Sequence, residues 1–474
     1  MMFAAGMQAM VLTGKGEVRT NALRFDPKTA RWSAPERVDI GPTKAHEDYP
    51  GYLSAARSPR GDFAVGADRT GYNPWSNRFD PITQTWDGPR PLPESLNDLT
   101  LEQFFFGANF NLYGLWRGRG LLCVARYDAA TKSWLAPIQL AARPLEFSGT
   151  FYPLAAEVDE TGRVTVAWSL DKKLLVAQAP SDSEPFGAPH EFDLPRLKPG
   201  SPPPREWEFE TRALAIDLTS LGAGKVMLSW MASFYSATQR GDGPFVSIFD
   251  PAKGGFGAPV MLADHTGEEP QHRMVQHPSG DVTLFWVATK RGADGKDSYA
   301  LRARHLNATA GTWSKTSSLE GSGMFNPVGS ELSVHALGED RVWVTFVTRR
   351  SDATAFNAPW RGISVSVFDV KQNAFGTPVQ VHEPEKRVGD LRVVVTACKT
   401  AAFLWQERES DEPKYKEKGS LHLDWLDTES LRLLASERVG RGWIPSLTAT
   451  ADCNLVAVWD DDGTKVRGFQ PPAH

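Results

Sequence analysis

Along this chain a turn-forming Asp, Asn or Pro is followed six residues later by a large apolar residue, in the pairs Asp26/Trp32, Asp80/Trp86, Asp128/Trp134, Pro180/Phe186, Asp250/Phe256, Asn307/Trp313, Asp369/Phe375 and Asp427/Leu433. Successive copies lie roughly 50 to 70 residues apart from one end to the other. Self-similarity at a period of that size means a repeat array, in which each unit buries its apolar face against the next.

The spacing has a local physical cause. In Arg24-Phe25-Asp26-Pro27-Lys28-Thr29-Ala30-Arg31-Trp32 an apolar strand ends at an Asp whose carboxylate can accept from the backbone N–H groups that follow, and Pro presets the next φ for a turn. The chain reverses and Trp32 enters the next strand. Proline follows three residues after the apolar position at Pro35, Pro89, Pro137, Pro189, Pro259 and Pro378. A proline has no N–H to give to a ladder, so that strand is an edge.

A second element recurs between the hairpins. Asp159-Glu160-Thr161-Gly162-Arg163-Val164-Thr165-Val166-Ala167-Trp168 reads as a tight glycine turn into a strand that reaches Trp six residues after the glycine, and Gly224/Trp230 and Gly280/Trp286 keep the interval. The run is almost continuously apolar, which implies burial on both faces. A short strand precedes each glycine turn, as in Leu53 to Arg57, Leu154 to Val158 and Leu332 to Ala336. Each unit therefore has an inner strand, a buried strand, a third strand ending at the Asp, and an outer edge strand. Repeated four-stranded antiparallel sheets of this kind predict an all-β fold, a β-propeller of eight four-stranded blades spanning residues 1–474 as one domain.

The expected closure is a pairing of N- and C-terminal strands. Gly6 falls where a turn glycine belongs, with Met10, Val11 and Leu12 as a buried run, while Leu455 to Trp459 and Lys465 to Phe469 repeat the buried and third strands at the other end. One pair of middle strands is thus in excess. Either pair could close the ring, with the other displaced, and a start upstream of Met1 would also account for the surplus.

Net charge is −5, and the positive residues are scattered rather than striped, which argues against nucleic acid as a partner. No stretch approaches the roughly 18 apolar residues of a membrane span. The beginning, Met1 to Gly6, carries neither the basic nor the apolar region of a secretory signal. No cofactor motif is present, and a monomer is expected.

The three cysteines include no CxxC. Cys123 falls in a third strand and reads as a small core residue. Cys453 takes the turn-glycine position, six residues before Trp459, and Cys398 lies seven before Trp405. They belong to equivalent turns of neighbouring blades. A bridge and two unrelated thiols are both open. The separation of such turns, set against a disulfide limit of about 7 Å between Cα atoms, makes separate thiols the expectation.

Phe-Asp-Pro-Lys-Thr-Ala-Arg-Trp at 25–32 and Phe-Asp-Pro-Ile-Thr-Gln-Thr-Trp at 79–86 resemble the Asp-Pro-x-Thr-x-x-Trp segment of kelch repeats. They are still more similar to repeats of secreted bacterial propeller proteins, which join this hairpin to a glycine turn and a Trp-terminated strand. The double glycine of kelch repeats is absent. The hairpins also resemble sialidase Asp-boxes, but those place Trp five residues after Asp, and no Arg-Ile-Pro segment stands near the start. The resemblance implies a bacterial, extracytoplasmic recognition propeller.

Function must come from the loops of such a scaffold. The glycine turns and Asp hairpins occupy one face. The longer connections, Arg37 to Gly51, His190 to Arg212, Trp230 to Pro244, Thr348 to Gly362 and Gln406 to Gly419, gather on the other. In or beside them stand Tyr49, Tyr72, Trp75, Trp116, Arg117, Trp207, Tyr235, Arg240, Trp360, Arg361 and Trp443. Aromatic rings stack on the C–H faces of sugars, and guanidinium groups bind hydroxyls. The expectation is a glycan or related polar ligand, bound without turnover. The same side chains could instead pack the loops together.

An acidic and histidine-rich set offers an alternative. Asp264, His265, Glu268, Glu269 and His272 share one loop, and His46, Glu47, Asp48, His382 and Glu383 fall in equivalent ones. Converging, they could act as general acid and base of a carbohydrate hydrolase or lyase, or hold a divalent metal, although none of the spacings is a ligand motif. GxSxG, HExxH, Walker and dinucleotide signatures are absent. A protein-binding scaffold is the third possibility.

Overall fold

The computed structural model describes residues 2–5, 8–13, 21–26, 31–34, 36–38, 53–58, 60–67, 75–96, 99–107, 110–118, 121–142, 154–159, 161–170, 173–181, 184–193, 212–235, 240–262, 272–291, 297–321, 332–349, 360–382, 386–408, 418–449, 452–461 and 464–472. They form eight antiparallel sheets in chain order. The protein is an eight-bladed β-propeller. Its inner strands are Met2–Ala5, Leu53–Arg57, Thr100–Phe106, Leu154–Val158, Arg212–Ser220, His272–Gln276, Ser333–Ala336 and Arg387–Val395. Consecutive inner strands lie side by side around the axis, as between blades 2 and 3, 4 and 5, and 6 and 7.

Turn chemistry sets the hairpins. The side-chain oxygens of Asp80, Asp128, Asp250, Asn307, Asp369 and Asp427 accept from the N–H groups of Ile82, Ala130, Ala252, Ala310, Gln372 and Glu429 at 2.7–3.0 Å. The fourth residue after each of these takes positive φ: Gln84, Lys132, Gly254, Gly311, Asn373 and Leu431. The outer strand then pairs twice with the third strand, with a break at proline. Thr85–Trp86 and Arg90–Pro91 flank Pro89, and Ala374–Phe375 and Val379–His382 flank Pro378.

The core lies between blades. Trp116, Trp230, Trp286 and Trp405 take the same place in their buried strands and are all completely buried. One apolar cluster joins Leu115 and Val124 of blade 3 to Val164 and Trp168 of blade 4. The next joins Ala167 and Val176 of blade 4 to Leu228 and Trp230 of blade 5. A Trp that buries about 200 Å² at about 25 cal/mol per Å² contributes ~5 kcal/mol before entropy is counted.

Closure departs from the expected pairing of N- and C-terminal strands, which the described residues do not show. The first sheet already has its four strands, so it offers no vacancy, and Met2–Ala5 pairs with Gln8–Thr13. At the other end the outer strand of blade 8 has Ser436 where six other blades have proline, and Leu433–Ala449 runs on for 17 residues. Its first part pairs with Gly419–Asp427, and its last part with Leu455–Asp460, which in turn pairs with Thr464–Phe469. The first strand lies beside Leu433–Ala449, and no ladder joins them among the described residues. The ends therefore meet by packing.

The cysteines also correct the expectation. Cys398 and Cys453 are bridged, with Cα atoms 6.1 Å apart. Adjacent turns of blade 8 and the C-terminal strands approach more closely than the separation assumed from the repeat. Cys123 is free and buried, as expected.

Candidate functional site

The loop aromatics divide. Trp75 is 3% exposed and packs with Val38, Phe63, Val65 and Phe79. Trp116 is fully buried, edge-on to Trp134 at 5.2 Å between ring centroids. These two are core residues and offer no surface to a ligand. Trp116 stands next to a loop in sequence but occupies the buried-strand position of Trp230 and Trp286, and strand alternation turns it inward. Arg117 is held by Glu102, to which its Nε and Nη2 donate at 3.0 and 2.7 Å. Tyr235 and Arg240 are paired at the tip of the long hairpin of blade 5, Trp360 is paired with Arg349, Trp443 with Asp460, and Arg361 lies at a register shift. Tyr49, Tyr72 and Trp207 lie outside the described residues.

The acidic and histidine set is not brought together where it is described. His272 is buried between blades 5 and 6, its Nε2 2.9 Å from Ser229 Oγ. Burial pushes its pKa down to about 4. It is a neutral core histidine. His382 lies in the interface of blades 7 and 8, 4.5 Å from Trp405 between ring centroids and with Nδ1 3.8 Å from Asp424 Oδ2. That carboxylate is fully buried and accepts from Trp405 Nε1 at 2.7 Å and Ser436 Oγ at 2.5 Å. His46, Glu47, Asp48, Asp264, His265, Glu268, Glu269 and Glu383 lie outside the described residues. Among the described residues no group of three His, Cys, Asp or Glu side chains could hold a metal.

A different constellation emerges from the register of the inner strands. The hairpin between inner and buried strands of seven blades is closed by the same backbone bond, from the N–H of Ser58, Gly107, Asp159, Leu221, His277, Leu337 and Thr396 to the carbonyl four residues on. Four residues before these positions stand Ser54, Gln103, Ala155, Asp217, Arg273, Ser333 and Arg392. Their partners on the buried strands are likewise equivalent: Gly66, Leu115, Ala167, Ser229, Phe285, Thr345 and Leu404. Ser446, opposite Val458, continues the series in the C-terminal strands.

All eight positions are partly buried, neither sealed in the core nor open to solvent. Seven of them are polar, on strands whose other residues are mostly apolar. One tier around the central opening therefore carries hydroxyl, amide, carboxylate and guanidinium groups at one height. Two residues nearer the turn, a second tier has polar, partly buried Glu157, His335 and Thr448 among the more apolar Ala56, Phe105, Val275 and Val394. The two tiers touch in blade 7, where Ser333 Oγ lies 2.8 Å from His335 Nε2.

The tiers are electrostatically sorted. Burial raises the Glu157 pKa to about 7, with the charges of Asp217 and Asp159 adding to the effect. Burial also raises Asp217, opposed by the guanidinium of Arg273. Burial lowers His335, so its ring is neutral at pH 7. Arg273 Nη1 donates to the carbonyl of His272 at 2.8 Å, and Arg392 Nη1 to that of Leu391 at 2.9 Å. The acidic side of the opening thus lies on blades 4 and 5, the basic side on blades 6 to 8. A carboxyl that titrates near 7, as Glu157 does, can give and take a proton at neutral pH.

None of these inner-strand residues was singled out from sequence. The available signal was an ionisable residue inside a short apolar strand, as in Ala-Ile-Asp217-Leu or His-Arg273-Met-Val.

No family model matches the sequence, and no curated protein matches it. Solved structures do. The Dos1 propeller is similar at a TM-score of 0.51 and 12% identity, over 90% of this chain and 94% of that one. The dihydro-heme d1 dehydrogenase NirN is similar at 0.46 and 13%, over 91% and 73%. A polysaccharide lyase, PL25 ulvanlyase, is similar at 0.43 and 12%, over 75% and 89%. At such identities the likeness concerns the fold alone.

Proposed function

We propose that residues 1–474 form one recognition domain that binds a carbohydrate or related polar ligand at the mouth of its central opening. The supporting observation is the tier of partly buried polar side chains at one register, Ser54, Gln103, Asp217, Arg273, Ser333, Arg392 and Ser446. Hydroxyl-rich ligands need such mixed donors and acceptors held on rigid strands. On this reading the stacking surfaces come from Tyr49, Tyr72, Trp207, Tyr235, Arg240, Trp360, Arg361 and Trp443. The bridge between Cys398 and Cys453 supports an oxidising, extracytoplasmic setting. Among the described residues no helix is long and apolar enough to cross a membrane.

A glycan array run with the wild type and with Asp217→Asn tests this reading. Binding that disappears in a variant of unchanged melting temperature supports it. Binding to no glycan, or binding indifferent to Asp217, refutes it.

A second reading, a carbohydrate-active lyase or hydrolase, is favoured by one observation, two carboxyls, Glu157 and Asp217, on adjoining inner strands. Turnover of a polysaccharide that Glu157→Gln abolishes while binding persists would decide for the enzyme.

A further inference from the structure

The first tier carries two arginines, and among the described residues neither has a carboxylate partner. Arg273 and Arg392 stand at the same register on blades 6 and 8, with Ser333 at that register on the blade between them. Each guanidinium spends one Nη1–H on the carbonyl of the residue before it, which fixes its direction along the strand. Neither forms an ion pair among the described residues, although arginines elsewhere do: Arg78 with Asp62, Arg117 with Glu102, Arg408 with Asp390. Asp217, across from Arg273, is close enough to feel its charge without pairing to it. Guanidinium groups with donors left over, at one register on either side of Ser333, have the chemistry to bind an oxyanion.

We propose that Arg273 and Arg392, with Ser333 between them, bind the anionic group of an acidic ligand: a carboxylate, sulfate or phosphate ester. This rests on the reading of the central opening as the binding site and adds the charge class of what enters it. The carboxylates of the other half would repel a second anion, so the site prefers one anionic group flanked by neutral hydroxyls. On this proposal Gln103 and Asp217, at the same register, take those hydroxyls together with Ser54, whose Oγ also accepts from Phe104 N at 3.2 Å. A uronate or sulfated sugar and a sugar phosphate present the same chemistry to these arginines, and titration separates them.

The test is calorimetric titration with matched neutral, uronate-containing, sulfated and phosphorylated oligosaccharides, and with inorganic sulfate and phosphate alone. An acidic member should bind at least tenfold more tightly than its neutral match. Arg273→Gln and Arg392→Gln should each weaken it at least tenfold, Arg392→Lys less, and the wild-type affinity should fall on raising sodium chloride to 0.5 M. Neutral and acidic members binding equally would overturn the proposal and leave the carbohydrate reading standing. Binding of acidic sugars undiminished in folded arginine variants, or insensitive to salt in the wild type, would also overturn it. If inorganic anions bind in an arginine-dependent way but no sugar does, the anion site stands and the carbohydrate reading falls. If no anionic compound binds, the proposal fails. The salt titration needs no variant, so a misfolded substitution does not remove the test.

Discussion

Glu157 and Asp217 stand on adjoining inner strands of blades 4 and 5, and burial together with the charge of Asp217 raises the Glu157 carboxyl to about 7. The folded protein therefore holds a proton there that the unfolded chain releases near 4.5. Stability linked to this group is intact below pH 4.5 and lost as pH rises through 7. Glu157→Gln should match the wild type at pH 4.5 and exceed it at pH 8 by up to about 3 kcal/mol. Melting curves at the two pH values measure this, and equal differences at both would refute it.

His272 has the opposite sign. Its folded value near 4 lies below the ordinary imidazole value, so the unfolded chain binds more protons between about pH 4 and 6.5. The wild type should lose up to about 3 kcal/mol over that window as pH falls. His272→Gln, which can still meet Ser229, should show a flatter acid limb in a urea titration series. A limb as steep as that of the wild type would count against the assignment.

Trp75→Ala and Trp116→Ala should each cost about 3 to 5 kcal/mol, the range for deleting a well-buried aromatic. The half-buried Trp86, edge-on to Phe63 and Phe79 at 6.0 and 5.5 Å, should cost less than either. Thermal denaturation ranks the three. A Trp116→Ala protein as stable as the wild type would contradict its place in the core.

The bridge from Cys398 to Cys453 closes 55 residues of chain. Loop entropy of that length corresponds to about 4 kcal/mol. Cys398→Ser, or the wild type in reductant, should melt earlier, and the two should coincide. Separate melting temperatures would show that the free Cys453 thiol or another change contributes.

What could be read from residues alone follows a physical division. The Asp and glycine turns were legible because their chemistry is local: an Asp80 carboxylate caps Ile82 two residues away whatever surrounds it. Proline at 89 and 378 marked edge strands for the same reason. Facing was not legible. Trp75 and Trp116 border loops in sequence, and only the direction of their strands turns them into the core. Arg273 and Arg392, 119 residues apart in the chain (392 − 273), share a height because two closing hydrogen bonds, at His277 and Thr396, set the register of separate blades. The bridge was misjudged because the distance between two turns depends on how blades lean, which no spacing records.

The 17-residue strand Leu433–Ala449 pairs with Gly419–Asp427 by its first part and with Leu455–Asp460 by its last. Any rotation of the C-terminal strands about the propeller axis would have to twist that strand along its length. The disulfide at the Cys398 and Cys453 turns fastens the same strands to blade 8 at a second place. The first strand, which lies beside Leu433–Ala449, therefore packs on a segment that is anchored to blade 8 both by its ladder and through the disulfide.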